Sequence, residues 1–122
     1  MSGTVQLPLP AWDFQILVAV LDEARHGYAI VQWIRDQTGT PDALGTSTLY
    51  AALKRLSRQG LIAEAPRPAG ETSADERRRY YRATAEGRAV ARAEARRIHQ
   101  LHGLAEHARL LSGPARLAKG RS

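Results

Sequence analysis

Residues Gly45 to Ile62 read GTSTLYAALKRLSRQGLI, and this stretch decides the fold. At roughly 100° per residue, Leu49, Ala52, Leu53 and Leu56 share one side of a helix, while Ser47, Ala51, Lys54 and Arg58 share the other. Thr48, Tyr50 and Arg55 sit on the borders between them. The first side needs a core to cover it; the second is small, polar and basic. Thr46 or Ser47 offers a side-chain oxygen to the free N–H groups of the first turn, and Gly60 stands where a helix ends on a residue that tolerates positive φ. Small residues let a backbone approach a duplex, hydroxyls and cations reach phosphates and base edges, and a helix fits the major groove. The stretch reads as a recognition helix, weighed against an ordinary surface helix whose charges only keep it soluble.

Upstream, Thr40, Pro41 and Asp42 supply turn chemistry, with Ala43 and Leu44 tucked beneath the sheet or the third helix. Gly39 ends a second helix running from about Tyr28 to Gln37, with Ile30, Trp33 and Ile34 inward. Arg25, His26 and Gly27 make a short break before it. A first helix, opened by Pro10, runs from Ala11 to about Glu23; Phe14, Leu17, Val18 and Leu21 form its stripe, and Ile16 and Val20 widen it enough to be buried on two sides. Helix, turn, polar-faced helix is the order of a helix-turn-helix, in which the first partner braces the backbone and the second enters the groove. Residues 1–9 form an arm that is loose or docked extended.

Downstream, Leu61 to Ala65 makes a short strand, PRPAGETSADE from Pro66 to Glu76 a loop, and RRRYYRA from Arg77 to Ala83 a second strand. Alternation puts Arg79, Tyr81 and Ala83 on one face and Arg78, Tyr80 and Arg82 on the other. Two strands and a polar loop make a wing. Arg77, Arg78 and Arg79 then lie along a phosphate backbone, each neutralised phosphate adding salt-dependent affinity; the alternative is an edge strand protected by charge.

Thr84 caps a last helix, Glu86 is favourably placed in its first turn, and Gly87 implies a close backbone approach. Its pattern continues from Ala85 to about Leu111, with Ile98, Leu101, Leu104 or Ala105, Ala108 and Leu111 recurring at three- and four-residue steps. A chain this small has little left to cover that seam, so a second copy is expected there, with Trp12 of the first helix beside it and two recognition helices presented about one DNA turn apart. A helix folded back on its own domain is the alternative. Trp12 covers the core edge, meets the second subunit or touches a small-molecule effector. Residues 112–122 read as a disordered basic tail.

The bulk properties bound these readings. The 122 residues suit one modest core, and 18 Lys and Arg against 12 Asp and Glu leave a net charge of +6 that favours a polyanionic partner. There is no cysteine, which excludes disulfides, thiolate metal sites and cysteine nucleophiles. Nor is there a glycine-rich phosphate loop or a serine in a nucleophile context, so no enzyme and no cofactor is expected. The longest apolar run, Ile16 to Leu21, falls far below the ~20 residues that span a bilayer. A cytoplasmic protein with no membrane partner is expected. His99, His102, Glu106 and His107 lie on the last helix, where pairs share a face, but two His without a further fixed ligand do not define a metal site, and none is assigned. A metal- or ligand-sensing helical protein is one rival reading. A winged helix that docks RNA or protein without promoter specificity is another, although the major groove of duplex RNA is too narrow for a helix.

Three motifs occur in order across residues 11–90: LVAVLDEARHGYAIVQWI, TLYAALKRLSRQGLI and RRRYYRATAEG. Together they resemble the PadR family of bacterial transcriptional regulators, and the single short tail helix is similar to that family's smaller subclass. The resemblance implies a winged helix-turn-helix, a dimer joined through the N- and C-terminal helices, and repression of a nearby promoter until a small molecule releases the double-stranded DNA operator. His26, Gly27 and Tyr28 match the family's HGY, which caps and packs the second helix. Thr48, Leu49 and Tyr50 match its TLY, with Ser47 in place of the family's Gly and Ala51 in place of its Pro. Both departures lie on the groove-facing side, so no base preference carries over. Arg79, Tyr80, Tyr81 and Thr84 match the wing and its exit, with Tyr81 the core member by alternation.

The expected fold class is mainly α with a small β-wing: an arm over 1–9, a winged helix-turn-helix over 10–84, a dimerisation helix over 85–111 and a tail over 112–122. Ser47, Thr48, Tyr50, Ala51, Lys54, Arg55, Arg58, Arg77, Arg78 and Arg79 are the expected DNA contacts. Trp12, Ile98, Leu101, Leu104, Ala105, Ala108 and Leu111 are the expected dimer contacts, and Trp12 is the candidate effector residue.

Overall fold

The apolar stripes of the chain close on one another around its first helix. The computed structural model describes residues 5–39, 44–70 and 78–112. Among them the order is α1 (Ala11–Ala19), β1 (Arg25–His26), α2 (Gly27–Thr38), α3 (Thr46–Arg58), β2 (Ile62–Ala65), β3 (Tyr80–Ala83) and α4 (Ala85–His107). The turn residues Thr40, Pro41 and Asp42, the wing-loop residues 71–77 with Arg77 among them, and the tail from 113 onward lie outside the described residues. Helix α1 packs on α2, α3 and α4. Its Ile16 and Leu17, with Val20 just beyond its end, are wholly buried among Ile30 and Ile34 of α2, Leu49, Leu53 and Leu56 of α3, and Leu61 and Tyr81.

Helix α1 is shorter than its apolar pattern suggests. It follows Pro10, whose carbonyl accepts from Phe14 N, and it stops at Ala19 rather than near Glu23. The carbonyls at its end turn to other elements: Ala19 O accepts from Arg25 Nε at 2.6 Å, Val20 O from Ala83 N at 2.9 Å, and Leu21 O from Arg88 Nη2 at 2.6 Å. The apolar residues Val20 and Leu21 thus serve the core from a turn.

The other helices are punctuated largely as the sequence implies. His26 caps α2, its Nδ1 accepting from Ala29 N at 3.2 Å, and Gly39 ends the helix at φ +70°. Gly45, not Thr46 or Ser47, occupies the N-cap of α3, and among the described residues no side-chain oxygen caps that helix. At its far end Gly60 N donates to Ser57 O and Leu61 N to Leu56 O, both at 3.0 Å, with Gly60 at φ +75°. This pair of bonds is a Schellman motif, which satisfies carbonyls the helix leaves over. Thr84 Oγ1 caps α4 by accepting from Gly87 N at 2.9 Å and donates to Gly60 O at 2.7 Å.

A three-stranded antiparallel sheet of order β1-β3-β2 replaces the expected two-stranded wing. The break before α2 is itself a strand: Arg25 pairs with Tyr81 and His26 with Tyr80, while β2 pairs with β3 from Ile62–Ala83 to Ala65–Tyr80. Central placement explains a second departure. Alternation left Tyr80 on the outer face, yet both Tyr80 and Tyr81 are buried. Tyr81 joins the main core, and the Tyr80 ring meets its cross-strand partner His26 edge-on at 5.3 Å between centroids.

The arm docks from residue 5 onward. Leu9 is buried, and its N–H donates at 3.0 Å to Oε2 of Glu94, a carboxylate on α4 that is only 1% exposed. Arg97 Nε donates to Glu94 Oε1 at 2.7 Å. The Arg97 hydrogen bond and then the Leu9 N–H hold the Glu94 carboxyl below its ordinary range, although desolvation pushes it the other way. Helix α4 ends at His107 rather than Leu111. Arg109 N bonds Glu106 O and Leu110 N bonds Ala105 O, a Schellman closure with Arg109 at φ +62°. No glycine marks this end, so the apolar spacing runs past it.

Candidate nucleic-acid interface

Helix α3 carries its polar residues outward on a buried seam. Leu49, Ala52, Leu53 and Leu56 are buried, while Ser47, Thr48, Tyr50, Ala51, Lys54, Arg55 and Arg58 are exposed. Gly27 lets the start of α2 come close: a Cβ there would meet Leu49 Cδ2 and Tyr50 Oη at 3.1 Å. Tyr50 thereby leans toward α2 and the base of β3.

A hollow of about 410 Å³ opens there, lined by His26, Gly27, Tyr28, Tyr50, Arg78, Arg79 and Tyr81. It joins the recognition helix, the α2 N-terminus and the wing base in one concave surface. Arg78 Nη1 lies 3.1 Å from His26 Nε2, and Arg79 lies 3.6 Å from Glu64 in a pair exposed on both sides. Such an exposed pair contributes little, so Arg79 is not held by it. His26 and Tyr28 are expected from the family resemblance to cap and pack α2 and are not among the expected DNA contacts. Tyr28 is 63% exposed at the hollow's lip, with its hydroxyl accepting from Gln32 Nε2 at 2.7 Å. An exposed aromatic beside a helix start, one turn from Gln32, was the available signal.

Arg55 behaves differently from Lys54 and Arg58. Its Nε and Nη2 donate to Oδ2 and Oδ1 of Asp13 at 2.8 and 2.7 Å, and Asp13 is buried. That hydrogen bond is the largest cause holding the guanidinium charged beyond its ordinary range. The Arg55 guanidinium is therefore turned to α1 rather than left free above α3. Asp13 was missed because nothing local to it announces a partner 42 residues away.

Residues 16–93 match the model of the transcriptional regulator PadR-like family. The chain belongs to that family. It is 38% identical over 77 residues to an uncharacterized protein of Lysinibacillus sphaericus, a match covering 63% of this chain and 68% of that one. A PadR family transcriptional regulator from Eggerthella lenta is 32% identical, with a TM-score of 0.57 over 81% of this chain and 82% of the other. A PadR family transcription regulator from Clostridium difficile shares the fold at a TM-score of 0.67 and 24% identity, over 80% of this chain and 97% of that one.

The PadR-like chain is thus a transcriptional regulator, and its family and structural relatives are regulators rather than enzymes. On α4, Ile98, Leu101, Leu104, Ala108 and Leu111 are exposed and Ala105 is half-buried. Trp12 is half-buried against the core. His102 Nδ1 lies 3.7 Å from Glu106 Oε1, and the described residues hold no cluster of three or more metal-ligating side chains. Among the described residues, no helix is long and apolar enough to cross a membrane.

Proposed function

We propose that this PadR-like regulator is a homodimeric, sequence-specific reader of double-stranded DNA. The observation that supports the reading most is the outward face of α3, where small, hydroxyl and cationic side chains stand on a fully buried apolar seam. In this reading residues 10–84 grip the duplex: Ser47, Thr48 and Ala51 approach base edges, Tyr50, Lys54 and Arg58 hold its flanks, and Arg77, Arg78 and Arg79 follow the backbone. The hollow beside Tyr50 fits a phosphate, since it brings guanidinium and phenol donors to a helix N-terminus.

Dimerisation is assigned to α4. Leu101 and Leu104 are exposed apolar side chains three residues apart on a helix whose first half alone is buried on its own domain. A second copy covering that seam sets two α3 helices about one DNA turn apart. Repression relieved by a small molecule is the mode the family resemblance implies; the cytoplasm as its place and Trp12 as the effector contact come from the reading of the residues.

Fragments selected from the host genome provide the test. Lys54→Ala or Arg58→Ala is expected to weaken binding while helicity is unchanged by circular dichroism. An RNA duplex that competed as well as DNA at moderate salt would overturn the reading.

A further inference from the structure

Arg55 lies about 40° round α3 from Ala51 at ~100° per residue, on the outward side. Its guanidinium nevertheless turns to Asp13, which stands in the first turn of α1. The pair straddles the protein boundary: Asp13 keeps 1% of its side-chain exposure and Arg55 keeps 45%. A buried carboxylate thus grips an exposed cation from beneath.

The grip is side-on. It uses Nε–H and one N–H of Nη2, each with its own carboxylate oxygen. A guanidinium is planar and carries five N–H donors, so its tip retains the second N–H of Nη2 and the Nη1 N–H parallel to it, with the other Nη1 N–H on the far side. The two donors at the tip form a parallel fork whose plane is fixed by Asp13. A fork of this kind matches two oxygens of a phosphate. Because the side chain is already ordered on folding, less rotamer freedom is lost when DNA binds.

We propose that Asp13 is a positioning residue that holds the free edge of Arg55 ready to clamp one backbone phosphate of the duplex. The proposal rests on the DNA-binding reading of α3 and adds to it a residue of α1 that touches no DNA. Phosphate is favoured over guanine because residues near the N-terminus of a recognition helix reach the base edges, whereas Arg55 is far along α3, beside Arg58.

The test is a double-mutant cycle on the full chain with a selected operator duplex, repeated over a range of salt. Arg55→Gln is expected to weaken binding and to reduce the slope of log affinity against log salt by about 0.9 per protomer. Asp13→Asn, which leaves the cation in place, is expected to weaken binding about tenfold, the scale of one charge-assisted hydrogen bond, with the slope unchanged. In the Arg55→Gln background Asp13→Asn is expected to have no further effect on affinity. If Arg55→Gln alone unfolds, the double variant, which leaves no unpaired charge at this site, is compared with Asp13→Asn: weaker binding with a slope lower by about 0.9 per protomer is expected, and equal affinity and slope overturn the proposal.

Equal losses from Asp13→Asn with and without Arg55 mean a merely structural role and overturn the proposal. Tighter binding with a steeper slope in Asp13→Asn means that Asp13 withholds charge, and also overturns it. Relaxed discrimination at one base pair in Arg55→Gln, with an unchanged slope, assigns the fork to guanine instead. Failure of the wild-type chain to bind any duplex sinks the underlying reading, a result distinct from all of these.

Discussion

At the scale of single residues, a few contacts position whole elements. Gly87 is one: a Cβ placed there would lie 2.0 Å from the backbone oxygen of Leu61, which already accepts from Thr84 N. Neither backbone can yield without opening the junction of α3, β2 and α4. Gly87→Ala is expected to destabilise the fold by about 3 kcal/mol in urea unfolding, the scale of overpacking a closed contact. Glu94 is another. Its folded pKa is lowered, first by Arg97 and then by Leu9 N–H. The stability it contributes is therefore fully present above the ordinary carboxylate range and is lost as pH falls through the lowered folded value. Glu94→Gln is expected to cost about 1–2 kcal/mol at pH 7, with the gap to wild type closing as both are unfolded at increasingly acid pH. A gap that stays constant with pH would remove the charge from the explanation.

At the scale of elements, the proposed binding divides between helix and wing. Arg78→Ala is expected to reduce the salt slope by about one unit with little change in sequence preference, whereas Lys54→Ala should weaken operator binding. Titrations against operator and scrambled duplexes separate the two. Elements with a long period were legible in the sequence: α2, α3 and α4 were expected within a few residues, and Gly39, Gly60 and Thr84 stop or start them as expected. Elements defined by distant partners were not. A strand of two residues, Arg25 and His26, has no period to read and exists because β3 pairs with it. The end of α1 depends on Ala83, Arg25 and Arg88 claiming its carbonyls, and the end of α4 on a left-handed Arg109. The polar face of α3 was readable position by position, but the turn of Arg55 toward Asp13 was not, because helical spacing gives a direction for Cβ and not for a long side chain's tip. Replacing the strained residue, Arg109→Gly, is expected to slow amide exchange in the last turn of α4, by about 0.5–1 kcal/mol of local stability.

At the scale of the whole molecule, the positive charge and the exposed seam of α4 support the proposed arrangement of two copies joined along α4, each laying α3 on the duplex. Leu101→Glu with Leu104→Glu is expected to yield a folded monomer by sedimentation, with operator affinity reduced far more than non-specific affinity, since only the specific site rewards paired α3 helices. The most direct test of the central claim is the salt-dependent affinity of the full chain for a genome-selected duplex and for a scrambled duplex of equal length. Steep salt dependence on both duplexes, with the selected one bound at least about a thousandfold more tightly, is the predicted result. Equal affinity for the two, or no binding at low ionic strength, would contradict it.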